Sequence, residues 1–386
     1  MHKLSSAVSG FFRGADMLLL ALCTLASVFG IVVVSSTTRY LGSHHYILVQ
    51  SAALVIGIVL YVILTLFDID IIAERREILM AFNILFISTL FLWGVEGTTG
   101  NRSWLAFSWL PFNIQPAELC KITYIIILAK TMSIYRSRIS SFVSVGQIAV
   151  LLAVTVGLIL VSSDDAGVAL IFVFITLVMA YVGGVGLGWF LAVFALIAAA
   201  APLAWTHFIR TDQKQRILMI FDPTIDPEGM DIRWQTKRSL LSLQGGGMTG
   251  QGLYHGAQTQ AGALTAQHTD FVFSAIGEEL GVVGCLFVLL LLTAIVIRCI
   301  RVGMKSGSYM NRLICIGIAG MLIFQISVNV GMCLGVFPVI GLTLPFISYG
   351  GSSIVTMYAA MGIVSGIRMR PAPDADALYI RPRYSL

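Results

Sequence analysis

Ten apolar runs, most of them close to the roughly 20 residues an α-helix needs to cross a hydrocarbon core, dominate the sequence and leave few folds open to it. They cover about 17–36, 46–67, 78–93, 116–133, 145–161, 167–186, 188–206, 271–297, 313–334 and 339–366. Only 11% of residues are charged and 58% are hydrophobic, whereas an average soluble chain carries nearer ~25% charge. A soluble domain is excluded. The expected fold is an all-α integral membrane protein of about ten transmembrane helices, forming one domain over 1–386. Lipid offers no partner to an unpaired backbone group. A break in the last run, signalled by Pro345 and Gly350-Gly351, is therefore expected to line a cavity or pack against protein.

Lysine and arginine set the orientation, because short cytoplasmic loops accumulate them. Fifteen fall on one face: Lys3 and Arg13; Arg75 and Arg76; Lys130, Arg136 and Arg138; Arg298, Arg301, Lys305 and Arg312; Arg368, Arg370, Arg381 and Arg383. The short loops of the other face hold little beyond Arg39 and Arg102. Both termini are expected in the cytoplasm, and the net charge of +5 reflects topology, with no nucleic-acid partner implied. Cys23, Cys120, Cys285, Cys299, Cys315 and Cys333 lie in or beside apolar runs, without a CxxC pair or a histidine at ligand spacing, and read as small core residues. The first run lacks a convincing small-residue cleavage site and is expected to be retained.

Two polar connections stand out, about 94–115 and 207–270. Four spans separate them, so both are expected on the extracytoplasmic side, where together they would build an outward-facing site. The longer loop holds three of the six histidines (His207, His255 and His268), six acids, six bases and a glycine-dense run from Gly245 to Gly256. Those glycines allow close backbone approach to something flat or charged, without Walker or Rossmann spacing. Arg233 to Arg238 begins an amphipathic helix expected at the membrane interface.

Asp270 closes the loop, next to Phe271-Val272-Phe273. A carboxylate at the edge of the membrane is partly desolvated, which raises its pKa and suits a general base; a cap or an ion-pair partner is the plain alternative. In the shorter loop, Trp109 and Phe112 read as interfacial aromatics. Arg102, beside Trp104, is either a surface anchor or a bidentate phosphate ligand. Gln115-Pro116 opens the fourth span, in which Glu118 and Lys121 share a helix face. That pair either neutralises itself and locks packing or forms a polar floor beneath the outer site. Asp164-Asp165 either caps the sixth span or binds a cation or a loop.

Taken together, these segments resemble the SEDS family of shape, elongation, division and sporulation proteins, whose best-known members are RodA and FtsW. The resemblance rests on Gly100 to Leu105, Gln115 to Lys121, Asp165-Ala166-Gly167, His268 to Phe271, Ile276 to Gly281 and Asn329 to Pro338. The run Gly341 to Ser353 is the most specific. The resemblance implies a peptidoglycan glycosyltransferase that polymerises lipid II at the outer face of the bacterial cytoplasmic membrane, working with a class B penicillin-binding transpeptidase. It implies Asp270 as the essential loop aspartate. It places Arg102, Trp104, Gln115, Glu118, Lys121, Asp165, His268 and the Ser352 region on further motif positions.

The chemistry then needs a base for the acceptor hydroxyl and positive charge on the departing diphosphate. Arg102, Arg210, Lys214, Arg216, Lys237, Arg238 or a divalent cation, Mg²⁺ or Mn²⁺, held by Asp270 and Asp165 would supply that charge. An apolar groove for the lipid tails is expected between spans, open to the bilayer. Two departures from the family pattern are visible. Ser163-Asp164 stands where Gln-Pro is usual, and Leu264-Thr265-Ala266-Gln267 stands where Leu-Pro-Glu is usual. Features of both RodA and FtsW are present, with a slight lean to RodA. The competing readings are a lipid II flippase, which would depend on Glu118 and Lys121, and a non-catalytic scaffold for the transpeptidase.

Overall fold

The apolar runs fold as helices in the expected order. The computed structural model describes residues 14–96, 101–108, 110, 112–207, 211–218, 222, 226 and 233–370. The first half contains α1 (Met17–Thr37), α2 (His45–Leu66), the short α3 (Ile69–Glu74), α4 (Arg76–Trp93), α5 (Pro116–Ile134), α6 (Phe142–Ser163), α7 (Ala166–Val182) and α8 (Leu187–His207). The second contains α9 (Thr211–Leu218), α10 (Trp234–Gly246), α11 (Ala257–Gln260), α12 (Val272–Lys305), α13 (Tyr309–Cys333) and α14 (Gly351–Met369). A small antiparallel hairpin, β1 (Gly94–Val95) with β2 (Trp104–Leu105), opens the shorter polar loop.

Seven helices (α1, α2, α4, α6, α8, α12 and α13) are long and apolar enough to cross a membrane on their own composition. The other three expected spans are α5, α7 and α14, of 19, 17 and 19 residues. Helices α5 and α14 are largely enclosed by their neighbours, with α14 packed most extensively against α2. Protein rather than lipid surrounds their polar residues, which is why they tolerate them. Helix α8 has no buried side chain among its described residues.

Local chemistry sets the helix starts. Asp16, Ser141, Asp165 and Ser308 cap α1, α6, α7 and α13 by accepting from the backbone N–H three residues on, and Pro116 occupies the first turn of α5. Asp16 does more than cap. It is fully buried at the arginine-rich end and accepts from Arg298 of α12 at 2.7 Å and Arg368 of α14 at 2.9 Å. The Tyr61 hydroxyl of α2 donates to its carbonyl. Four helices thus meet on one residue, three of them on its carboxylate and α2 on its carbonyl. All six cysteines are buried and unbridged, as core residues should be.

Two spans differ from expectation. The last helix begins at Gly351, not near 339, because Gly341 and Phe346 take left-handed φ values of 70° and 65° and Pro345 blocks a regular turn. The eighth span runs on to Lys305 and is broken inside at Gly281 (φ 66°, ψ −165°). That break leaves backbone groups open, and the glycine run of the long loop pairs with them. Gln251 N donates to Glu278 O, Gly252 N to Glu279 O, Val282 N to Gly247 O and Val283 N to Met248 O, at 2.9–3.2 Å. The surface that the glycines approach is therefore the broken backbone of α12. Helix α10 forms as expected, but it buries Ser239 and Ser242 against protein. The Ser239 hydroxyl contacts Ser274 Oγ at 2.5 Å and donates to Cys333 O at 2.7 Å.

A methyl group at Gly250 (φ 81°) would lie 2.1 Å from Glu279 O, whereas one at Gly146 on α6 would meet nothing within 4 Å. Gly250→Ala is expected to cost about 2 kcal/mol or more, and Gly146→Ala to gain about 0.5–1 kcal/mol. Thermal unfolding of both variants in detergent checks the contrast; equal midpoints would mean that the loop does not rest on the break.

Candidate active site at the loop end

The turn that carries Asp270 is held almost entirely through its main chain. Ala266 takes a left-handed φ of 54°, and its carbonyl accepts from the N–H groups of Thr269, Asp270 and Phe271. Asn329 of α13, fully buried, donates its amide to Asp270 O at 2.8 Å and to Leu342 O at 2.6 Å. Ser348 Oγ donates to Thr269 O at 2.5 Å, and Tyr349 N to His268 O at 2.8 Å. Gln50, buried in α2, donates to Ser348 O and accepts from Gly350 N. Four chain segments therefore fix the Asp270 backbone and leave its carboxylate for chemistry.

That carboxylate is only 8% exposed. Burial raises its pKa from 3.8 to about 6, opposed by a hydrogen bond from Thr269 and reinforced by the charge of Asp165. Asp165 comes from the α6–α7 turn. One of its oxygens caps Val168 N at 3.0 Å and the other accepts from Ser103 Oγ at 3.1 Å. Burial raises its pKa as well, against those hydrogen bonds and the Lys121 ammonium, while Glu118 adds to the rise. Ser103 belongs to the 94–115 loop. Asp165 therefore bonds the shorter polar loop and lies near enough to Asp270 for its charge to act there, which puts the two loops at one end of the bundle, as the count of intervening spans predicts.

Below Asp165, Lys121 Nζ donates to Glu118 Oε1 at 2.6 Å, and both side chains are buried. Glu118 Oε2 is buried with no hydrogen-bond partner among the described residues. The pair is joined by its own ion pair and still presents an unused acceptor. Gln115 N donates to Ser352 Oγ at 3.3 Å, tying the start of α5 to the start of α14.

The remaining predicted residues sit apart from this core. Arg102 is exposed and pairs with Glu96 at 3.3 Å across the hairpin. Trp104, half-buried in β2, pairs with Val95. Arg238 stacks over the Trp234 ring at 4.3 Å and donates to Gln258 at 2.8 Å. Lys237 is exposed on the same helix. Arg210 and Trp109, and the side chain of Arg216, lie outside the described residues. His268 lies in the Asp270 turn, its pKa lowered by burial and its Nδ1 enclosed without a partner among the described residues. Its ring meets Tyr46 edge-on at 5.0 Å and Tyr349 at 5.6 Å.

Sequence reasoning missed Gln50, Ser103, Asn329 and Ser348 as positioning residues. Gln50 and Asn329 left a signal, since each is a polar side chain inside an apolar span. Ser103 and Ser348 lie inside the Gly100–Leu105 and Gly341–Ser353 motifs, whose residue types alone do not show what each hydroxyl binds. Both departures from the family pattern have a backbone reason here. Asp164 (φ 52°) and Ala266 (φ 54°) are left-handed, a conformation closed to proline. Gln267 uses its amide to donate to Thr37 O and Thr259 O, which a glutamate in its ionised form does not do.

Among the described residues no cluster of three or more His, Cys, Asp or Glu side chains is placed to hold a metal. Asp270 and Asp165 alone supply two carboxylates, which suits an ion that also takes phosphate oxygens from a substrate. An apolar groove of about 460 Å³, lined among others by Phe142, Val150, Leu151 and Ile127, includes Arg76 and so opens near the arginine-rich end, away from Asp270.

The comparisons with known proteins bear on the family and the fold. The family model for the cell cycle proteins FtsW, RodA and SpoVE matches residues 15–371. Peptidoglycan glycosyltransferase MrdB of Escherichia coli K12 is 32% identical over 270 residues, covering 69% of this chain and 71% of that one. A probable peptidoglycan glycosyltransferase FtsW of Geobacter sulfurreducens is 30% identical over 371 residues, covering 93% and 96%. A solved chain from a study of how a peptidoglycan synthase complex coordinates polymerization and crosslinking superposes with a TM-score of 0.77 at 30% identity, covering 92% and 97%. The match of the family model to nearly the whole chain, on the fold and loop-end site described above, makes this multi-pass membrane protein a member of the FtsW, RodA and SpoVE family.

Proposed function

We propose that this protein is a peptidoglycan glycosyltransferase that polymerises lipid II, with Asp270 as general base. The observation that carries the assignment of the base is a buried carboxylate whose backbone is clamped by Asn329, Ser348 and Tyr349. Its pKa of about 6 leaves it ionised at neutral pH and still basic enough to accept a proton. In the reaction the acceptor hydroxyl oxygen forms a bond to the anomeric carbon of the donor sugar, and its proton passes to Asp270. The bond from that carbon to the diphosphate breaks, and polyprenyl diphosphate leaves with the electron pair. Among the described residues Asp165 is the one carboxylate noted near Asp270, and its oxygens are engaged by Val168 N and Ser103 Oγ, so inversion at the anomeric carbon is expected.

The basic side chains of α10, Lys237 and Arg238, are the described candidates for meeting the diphosphate. A divalent cation, Mg²⁺ or Mn²⁺, held by Asp270 and Asp165 would add charge stabilisation to the leaving group. With no cation between them, the Asp165 charge raises the proton affinity of Asp270. The site lies at the end expected to face outward, in a bacterial cytoplasmic membrane. A structure of a relative deals with coordinated polymerization and crosslinking in a synthase complex. A class B penicillin-binding transpeptidase is accordingly the proposed partner. The buried Glu118–Lys121 pair, with its unused acceptor, is the one feature that favours a flippase.

Purified protein with its transpeptidase should convert labelled lipid II into glycan strands, and Asp270→Ala should lower the rate about 10²–10⁴-fold while its melting midpoint stays near wild type. Full polymer from that variant would exclude Asp270 as the base. A flippase would instead move labelled lipid II across vesicles and lose that activity on Glu118→Gln.

The base works only when ionised. The rate kcat/KM should therefore fall about tenfold per pH unit below pH ~6 and level off above it. Asp165→Asn removes a neighbouring charge that raises the Asp270 pKa, so the midpoint should move to lower pH. A midpoint that stays put would separate Asp165 from the base.

A further inference from the structure

Beside the Asp270 turn, three rings from three chain segments meet edge to face. Tyr46 lies in the first turn of α2, His268 two residues before Asp270, and Tyr349 just before α14. The centroids are 5.0 Å apart for Tyr46 and His268, 5.0 Å for Tyr46 and Tyr349, and 5.6 Å for His268 and Tyr349. A packing cluster would be buried on all sides. These rings are each only partly buried, and neither tyrosine hydroxyl has a hydrogen-bond partner among the described residues. The group is also rigidly mounted. Gln50, one helical turn after Tyr46, grips Ser348 O at 2.9 Å and Gly350 N at 3.1 Å, and so brackets Tyr349. Tyr349 N in turn donates to His268 O at 2.8 Å.

Pyranose rings present apolar C–H faces and polar edges, and fixed aromatic side chains with free hydroxyls at their rim match both. We propose that Tyr46, His268 and Tyr349 form a stacking subsite for one pyranose ring of the acceptor saccharide, seated against Asp270. The assignment to the acceptor side rests on position: His268 lies two residues before Asp270, in the turn whose carboxylate would take the acceptor proton, and Tyr349 is tied to that turn by its N–H on His268 O. Because the subsite's parts are already clamped, binding costs little ordering of the protein. The proposal deepens the polymerase reading given above and rests on it.

The test combines two measurements on the full chain in detergent. The first is saturation-transfer NMR with chitotetraose, a soluble N-acetylglucosamine tetramer, which needs no turnover. The second is steady-state polymerisation of lipid II with the transpeptidase present. Wild type should transfer saturation to the sugar ring protons. Tyr46→Phe, which keeps the ring and loses the rim hydroxyl, should keep the transfer and raise KM about threefold, and Tyr46→Leu should lose the transfer and raise KM about tenfold with kcat within threefold. Tyr46→Trp keeps a stacking face and supplies a check independent of leucine's effect on folding, since chitotetraose should shift its emission. Wild-type KM and undiminished transfer in Tyr46→Leu would overturn the subsite, as would absence of transfer in wild type. Transfer by wild type without polymer would overturn the polymerase reading and leave a saccharide site standing.

Discussion

The break at Gly281 is the constraint on which the loop end depends. At the membrane boundary an interrupted helix exposes carbonyl and amide groups that lipid will not satisfy. In α12 the groups on either side of Gly281 pair with residues 247–252, and contact this close requires glycine at 246, 250 and 281. The two glutamates just before the break complete the joint. Glu278 accepts from Gln258 N, Thr259 N and the Thr259 hydroxyl, at 2.6–2.9 Å. Glu279 accepts from Ser36 at 2.7 Å and Gln260 at 2.9 Å. A long loop that would otherwise carry a large conformational entropy is thereby fastened to α12 and to the end of α1.

Fastening the loop is what allows Asp270 to be buried. A carboxylate with little solvent and another acid nearby is an unfavourable arrangement in the folded state, and that environment raises its proton affinity. The surrounding contacts hold it there chiefly through peptide groups, so its carboxylate oxygens stay largely available. Asp16 at the other end shows the opposite solution. It too is buried, but two arginines and a backbone amide satisfy its carboxylate, and the result is a staple between helices. The same residue type serves structure or chemistry according to whether its oxygens are satisfied.

Much of this was legible in the residues. Span count, order and the shared end of the two polar loops follow from apolar length and loop parity, because a bilayer admits few solutions. Asp270 was legible as a carboxylate at a membrane edge, and the Glu118–Lys121 pair from its helical spacing. The partner of Arg102 was not: as a surface anchor or a phosphate ligand the residue has no foreseeable mate, yet it pairs with Glu96 at the surface. An ion pair across a hairpin depends on the register of two short strands, which the local sequence does not specify.

By itself the sequence determined which segments are helical, which face is basic and which acid closes the long loop, since these depend on composition and short-range spacing. Only the tertiary structure decided where α12 breaks, what the glycine run touches, and that Gln50, Asn329 and Ser348 clamp the Asp270 turn. Each of those joins residues far apart in the chain: 59 positions separate Asn329 from Asp270, and 298 separate Gln50 from Ser348. Contacts of that kind exist only once packing has brought the segments together, and no periodicity within a segment encodes them.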